Sequence, residues 1–338
     1  MAAQSRYTTT MKIRKNIGVL VPSDGQVPRI APHQRPIGRA AERLLNEGID
    51  VIFGDQIKNG NMSGFHVRDG QWKRVANIPL DGIHDRYPSQ IRSRQYEAMQ
   101  AGMVNLPMGN DFGFTMLCRD KVKSQRLMEE QLIRMPPVQA DPNRFGESLA
   151  QWGSAFFKPR FGALGIGVRR VVPGDDLPTH TEGVVPNRKD PTIIQAAIEP
   201  QRGWASRTVR VLIQREPSGG WFVGIPVLRQ SRTDPVANAA RGAEVAPAVS
   251  TLEPGLMERI DHEVERICAA LDRMPEAKRM VEAGLDLVID AQSNVWLIEI
   301  NSRPRGRMEV LASLDPDTYQ EAHINACARP IRVVSTWG

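Results

Sequence analysis

The chain has 338 residues, about two domains at the usual domain size, and its 41% hydrophobic content is ordinary for a globular protein. The formal charge of +6 suits an anionic ligand, but only 6% of residues are aromatic and no Lys/Arg-dense tract is interleaved with them, which speaks against nucleic acid. Three scattered cysteines (Cys118, Cys268, Cys327) exclude a disulfide framework and a cysteine metal site, and no apolar run reaches the ~20 residues of a membrane span, so a cytoplasmic location is expected.

Residues 1–13 read as a flexible tail, being polar and basic. The apolar run from Ile17 to Val21 predicts a first strand. A helix is expected from Ile37 to Glu47, stopped by Gly48, then a strand from Ile49 to Phe53. Val67 to Val75 reads as a hairpin about Asp69-Gly70, and Ser93 to Gly102 as a helix. This gives an α/β domain over residues 14–114.

Asp120 to Met128 opens an amphipathic helix that includes Lys121 and ends before Met135-Pro136-Pro137. A helix follows near Gly146 to Trp152. Ala155 to Lys158 then reads as a strand, running into a loop with Gly162, Gly165 and Gly167 and out into a second strand. Glycines let a backbone approach a polyphosphate closely and turn N–H groups toward it, and Lys158 adds a cation. The spacing is neither the Rossmann fingerprint nor the Walker loop, so the pattern is a hairpin flap over phosphates. Thr192 to Glu199 is a short apolar strand running into a polar linker. From Pro254 to Met274, Leu256, Ile260, Val264, Ile267 and Leu271 recur at helical spacing and predict a long helix packed on the core.

The most telling segment lies near the C-terminus. Leu285 to Asp290 and Val295 to Asn301 are two apolar strands around the polar segment Ala291-Gln292-Ser293-Asn294, a β-hairpin. A two- or four-residue loop sets Asp286 across from Glu299, and strand alternation puts Glu299 and Asn301 on one face. Two carboxylates and an amide oxygen are hard donors suited to Mg²⁺ (or Mn²⁺), and acids among so many apolar residues require a partner. Asp290 reads as a turn residue only. The six histidines are scattered, with no ligand spacing.

Taken in order, the Lys121 helix, the Lys158 glycine flap, the 192–199 strand and the Asp286/Glu299/Asn301 hairpin resemble the ATP-grasp enzymes. The hairpin is similar to that of D-alanine–D-alanine ligase and glutathione synthetase-like members. A closer resemblance is to the endospore coat-associated YheC/YheD branch. It rests on Asp85-Arg86-Tyr87-Pro88, Lys158 to Gly167, the strands Arg210 to Gln214 and Trp221 to Gly224, and Trp296 to Asn301. Thr208 departs from that branch, which commonly has Asp two residues before the arginine.

The resemblance implies an α+β fold in which two α+β lobes clamp ATP. Residues 115–190 would form the central subdomain with the flap, and 191–338 the C-terminal subdomain. It implies Lys121 and Lys158 on the phosphates, and Gln195, Ala197 and Ile198 at the adenine hinge. Glu199 would sit on the ribose, and Asp286, Glu299 and Asn301 on the metal. Arg210, Arg229 and Arg303 are the candidates for stabilising the reacting oxyanion, with Arg305 and Arg307 as further anion contacts. Asn238 and Gly242 would lie on a loop near the nucleotide. The activity implied is an ADP-forming carboxylate–amine ligase acting through an acylphosphate on small-molecule or peptide substrates. An ATP-grasp kinase and a non-catalytic, coat-like nucleotide-binding protein are the rival readings. The sequence gives no oligomer signal.

Overall fold

The computed structural model describes residues 15–23, 26–88, 93–103, 105–163, 165–182, 189–236, 242–304 and 308–337. The chain divides into two compact units, 1–87 with 94–109 and 327–338, and 88–93 with 110–326.

The first unit is built on strands β1 (Lys15–Leu20), β2 (Ile49–Lys58), β3 (Asn61–Arg68), β4 (Gln71–Pro79), β5 (Gly82–Asp85) and β6 (Met108–Gly109), with helices α1 (Pro36–Asn46) and α2 (Ser93–Gln100). The sheet order is β4-β3-β2-β1-β5-β6. β2, β1, β5 and β6 are parallel, and the buried run Ile49 to Phe53 is what a parallel strand covered on both faces requires. Two antiparallel hairpins extend it. Their turns, Asn59-Gly60 and Asp69-Gly70, both have two residues at positive φ, the type I′ geometry that matches strand twist. The Asp69-Gly70 turn is as expected. The sequence reading stops the second strand at Phe53, yet it runs on to Lys58 and turns at Asn59-Gly60. Asp85 is buried and fixed by the Tyr87 N–H at 2.9 Å and the Tyr96 hydroxyl.

The second unit contains helices α3 (Phe112–Arg119), α4 (Lys121–Glu130), α5 (Phe145–Trp152), α6 (Pro254–Arg273), α7 (Glu309–Leu314) and the greater part of α8 (Pro316–Ser335). One antiparallel sheet holds β7 (Val138–Gln139), β8 (Ala155–Pro159), β9 (Arg169–Val171), β10 (His180–Glu182) and β11 (Lys189–Ala196), in the order β10-β11-β8-β9 with β7 also on β11. The other holds β12 (Ser206–Arg215), β13 (Trp221–Val223), β14 (Val227–Ser231), β15 (Glu244–Pro247), β16 (Glu282–Ile289) and β17 (Val295–Asn301), in the order β15-β14-β12-β16-β17 with β13 also on β12. The predicted stripe on α6 is buried as expected, against Val209, Val211, Leu285 and Leu287.

Two boundaries differ from the sequence expectation. The 190/191 boundary falls inside β11, which pairs with β8 and so belongs to the flap sheet. Residues 327–338, expected in the C-terminal subdomain, group with the first unit, where Arg332 makes a two-pronged ion pair with Glu47 at 2.7 and 2.6 Å.

Inside the second unit, Asn110 is fully buried and acts as a staple. Its Oδ1 accepts from the Val281 and Glu282 N–H groups at 2.8 and 3.2 Å, and its Nδ2 donates to the Glu282 and Ser302 carbonyls. The start of β16 is thereby tied to the residue that follows β17, which fixes the frame of the acidic hairpin.

Candidate active site

A cavity of about 390 Å³ in the second unit is walled by both sheets. Its side chains come from three places, and each has a local reason for facing inward.

The first is the acidic hairpin. β16 and β17 pair so that Asp286 stands opposite Glu299, as expected, but by a different route. The Asp290 N–H donates to the Asn294 carbonyl, leaving a three-residue loop with Ser293 at φ 64°. An odd loop alone would set Ile298 against Asp286. A β-bulge restores the pairing, since Leu287 pairs with Leu297 while Asp286 pairs with Glu299. As a result the neighbours Ile298 and Glu299 both line the cavity, with Leu297 and Ile300 on either side in the core. Asp290 is the turn organiser it was read to be. It accepts from the Gln292 and Asn294 N–H groups, the Asn294 amide and the Trp296 indole, at 2.7–3.0 Å.

The second is the flap. Phe156 and Lys158 alternate on β8 and face the cavity, while Phe157 packs in the core. The Lys158 ammonium donates to Gln195 Oε1 at 2.5 Å. The Gln195 amide in turn donates to Gln125 Oε1 at 3.4 Å and to the Pro136 carbonyl at 3.3 Å. In the loop, Gly165 and Gly167 have φ 72° and 71°, a conformation that side chains with a Cβ resist. Their N–H groups have no acceptor among the described residues. Gly162 accepts from the Lys121 ammonium through its carbonyl. Lys121 opens α4, whose N-cap Asp120 accepts from the Val122 and Lys123 N–H groups and pairs with Arg160 at 2.8 and 2.7 Å. The sequence Asp120-Lys121 thus starts the helix and clamps the flap base.

The third is the pair of strands β12 and β14, in the interior of the C-terminal sheet. Arg210 on β12 pairs with Asp286 in register and grips its carboxylate through Nε and Nη2. Arg229 on β14 stands opposite Thr208 in register, and both line the cavity. Arg229 makes no hydrogen bond among the described residues.

The electrostatics follow from this crowding. Burial pushes the Lys158 ammonium down to about 8, and the charge of Lys121 adds to the push. Lys121 is lowered too, chiefly by burial. Burial alone would raise Glu299, but Lys121, Lys158 and Arg210 pull it down to about 2, so it stays ionised. Asp286 is pushed up by burial and by the Glu299 charge, against Arg210. Burial and the neighbouring Arg210 lower Arg229.

Asp286, Glu299 and Asn301 converge as the sequence reading expects: Asn301 Nδ2 lies 3.0 Å from Asp286 Oδ2 and 3.2 Å from Glu299 Oε1. The Asn301 amide lies within hydrogen-bond distance of both carboxylates. Exchanging its two ends turns Oδ1 inward and completes a set of hard oxygen donors, so the residues fit a divalent ion.

Lys121, Lys158, Gly162, Gly165, Gln195, Ala197, Ile198, Arg210 and Arg229 all line this one cavity. Gly167 sits in the flap loop, beyond the lining. The Ile198 N–H has no acceptor among the described residues, whereas the Ala197 N–H donates to the Ser154 carbonyl.

Glu199 stands outside the cavity lining. Its carboxylate accepts from Ser154 Oγ at 3.2 Å and from Arg170, and it is Arg170 that lines the wall. Arg303 also lies off the wall, within electrostatic reach of Cys118. Gly242 is likewise outside the lining, and Asn238, Arg305 and Arg307 fall outside the described residues. Sequence reasoning missed Arg170, Phe156 and Ile298. The first looked like any arginine at a strand end, and only the bulge brings Ile298 inward.

This arrangement, a glycine hairpin flap facing an antiparallel sheet with an acidic terminal hairpin, is the ATP-grasp fold. Residues 174–325 match the family model described as YheC/D like ATP-grasp, in line with the resemblance read from the motifs. Among solved structures the chain is similar to D-alanyl-alanine synthetase A from Vibrio cholerae, at 12% identity and TM-score 0.56, covering 95% of this chain and 100% of that one. It is similar to N5-carboxyaminoimidazole ribonucleotide synthetase from Thermotoga maritima, at 14% identity and TM-score 0.57, covering 94% and 76%. It is also similar to a RiPP-associated ATP-grasp ligase from Chryseobacterium gregarium in complex with ADP and a leader and core peptide, at 12% identity and TM-score 0.53, covering 93% and 96%. No curated protein matches the chain. No helix among the described residues is long and apolar enough to cross a membrane.

Proposed function

We propose that this protein is an ATP- and Mg²⁺-dependent ligase that joins a carboxylate to an amine through an acylphosphate. One observation carries the reading. A single cavity sets two lysines, the buried Lys158 and the half-buried Lys121, on the flap side against two carboxylates and two arginines on the sheet side. That is the distribution a nucleoside triphosphate and an anionic acceptor require.

We place the adenine among the apolar lining residues Phe156, Ile198, Val288 and Ile298, where the Ile198 N–H, which has no acceptor among the described residues, would meet its edge. The triphosphate then runs toward Lys158 and Lys121, under the loop of Gly162, Gly165 and Gly167. Asp286, Glu299 and Asn301 would hold Mg²⁺ (or Mn²⁺), which would supply neutralisation of the phosphate charge. Phosphoryl transfer needs positioning and fixed charge rather than a covalent nucleophile on the protein, and the cavity offers both. Arg229, with no acceptor of its own, is the group best placed to stabilise the oxyanion when an amine attacks the acylphosphate. Arg210 holds Asp286 in place.

The test is ADP release by the purified chain with Mg·ATP and arrays of small carboxylic acids, peptides and amines. Release that requires both an acid and an amine supports the ligase. Release with a phosphorylated acceptor and no amine would make it a kinase. Tight Mg·ATP binding with no release across the arrays would favour a binding role.

A further inference from the structure

Arg170 is a part of this cavity that the proposed chemistry does not use. It lies on β9, the outer strand of the flap, in register with Phe156. Both side chains line the cavity, as do Ala197 and Ile198. One guanidinium nitrogen is anchored twice: Arg170 Nη2 donates to Ser154 Oγ at 3.0 Å and to the Glu199 carboxylate. Ser154 Oγ also donates to Glu199 Oε1, closing a three-membered ring of contacts. The other donors, Nε–H and the Nη1 pair, have no acceptor among the described residues. A guanidinium is planar and rigid, so fixing one nitrogen fixes where the others point.

Arg210 makes a useful contrast, because Asp286 takes both its Nε and its Nη2. Arg170 is instead held through one nitrogen, and its remaining donors have no acceptor among the described residues. Glu199 and Ser154 position it, and a cavity ligand completes it. In the adenine placement proposed above, on which this inference rests, the atoms beyond the hinge beside Phe156 are those of the sugar. Hydroxyl oxygens are acceptors that suit a guanidinium, and bonds to a charged donor discriminate strongly.

We propose that Arg170 is a specificity-determining residue of the nucleotide site that donates to the ribose hydroxyls, with Glu199 serving to hold Arg170 rather than to contact the sugar. The flap strand and the hinge are then both committed to a ribonucleotide.

The experiment is calorimetric titration of the full chain with Mg·ATP and with Mg·2′,3′-dideoxy-ATP, for wild type, Arg170→Gln, Arg170→Lys and Glu199→Gln. Wild type should prefer ATP by about tenfold or more, the range expected for charge-assisted hydrogen bonds. Arg170→Gln should bring that ratio close to one while leaving dideoxy-ATP affinity within about twofold of wild type, the expectation for a group that touches only the sugar. Arg170→Lys should keep part of the preference, and Glu199→Gln should weaken it by loosening Arg170. An unchanged ratio in Arg170→Gln would overturn the proposal. So would an equal loss for both nucleotides, which would place Arg170 on the phosphates or in the fold. A ratio abolished by Glu199→Gln but kept by Arg170→Gln would overturn it in favour of Glu199 as the sugar contact. Wild type that binds neither nucleotide overturns the ATP reading itself, and is told apart because no variant is needed to see it.

Discussion

Lys158→Met separates what the fold needs from what the ligand needs. Lys158 is 5% exposed, and its ammonium is pushed down to about 8 from the ordinary 10.5. At about 1.4 kcal/mol per pH unit, that gap makes the buried charge cost the ligand-free protein roughly 3 kcal/mol. Below pH 8 the folded and unfolded chains both carry the proton, so the cost is present in full. Between pH 8 and 10.5 the folded chain loses its proton first. The unfolded state then binds more protons, and stability rises with pH. Methionine is of similar length and apolar, so it removes the cost. It also leaves Gln195 Oε1 without its 2.5 Å donor, a loss of about 1–3 kcal/mol. The net change at pH 7 lies between about zero and 2 kcal/mol in favour of the variant, a rise of up to roughly 8 °C for a unit of this size. Thermal unfolding at pH 7 and pH 9.5, with and without Mg·ATP, is the assay. The variant should unfold at or above wild type at pH 7, lack the gain that Lys158 gives wild type at pH 9.5, and be stabilised by Mg·ATP less than wild type is. A variant that unfolds well below wild type at pH 7, or that responds to Mg·ATP as strongly as wild type, would refute the reasoning.

Other consequences are as direct. Mg·ATP affinity of wild type should fall as pH rises through about 8, because Lys158 loses the charge that meets the phosphates; calorimetry from pH 6.5 to 9.5 reads this, and a flat profile would count against it. Glu299→Gln should reduce ADP formation by about a hundredfold or more, the usual scale for a group that fixes charge at the reacting centre. Asp290→Ala should leave ADP formation within about threefold of wild type while lowering the unfolding temperature, because its bonds organise only the turn; equal activity losses at Glu299 and Asp290 would mean that the acidic face is misassigned. Gly165→Ala introduces a side chain at φ 72° and should cost about 1 kcal/mol of flap stability, seen as weaker Mg·ATP binding with unchanged cavity chemistry.

Periodic elements were legible in the sequence, whereas contacts between distant segments were not. The α6 stripe and the Asp69-Gly70 hairpin follow from local rules that hold wherever the chain runs. The Asp286–Glu299 pairing agrees with the sequence expectation by a different route: an even loop predicts it, and the chain instead uses an odd loop with a bulge at Ile298. The bulge is set by Leu297 and Ile300 seeking the core, a tertiary demand with no local signature. Asn59-Gly60 is a turn of the same local kind, outside the hairpin that the sequence predicts. Glu199 follows the hinge, where the resemblance implies a ribose contact, and its contacts with Arg170 and Ser154, residues 29 and 45 positions away, are ones that no spacing rule connects. Asn110 reaches residues more than 170 positions distant in the same way.

The most direct test is a calorimetric titration of ATP, with and without Mg²⁺, into wild type and Asp286→Asn/Glu299→Gln. Wild type should bind ATP, and Mg²⁺ should tighten that binding. The double variant should lose the Mg²⁺ enhancement while retaining a metal-free interaction through Lys121 and Lys158. Wild type that fails to bind Mg·ATP, or a double variant whose Mg²⁺ response matches wild type, would contradict the assignment of this cavity as a metal–nucleotide site.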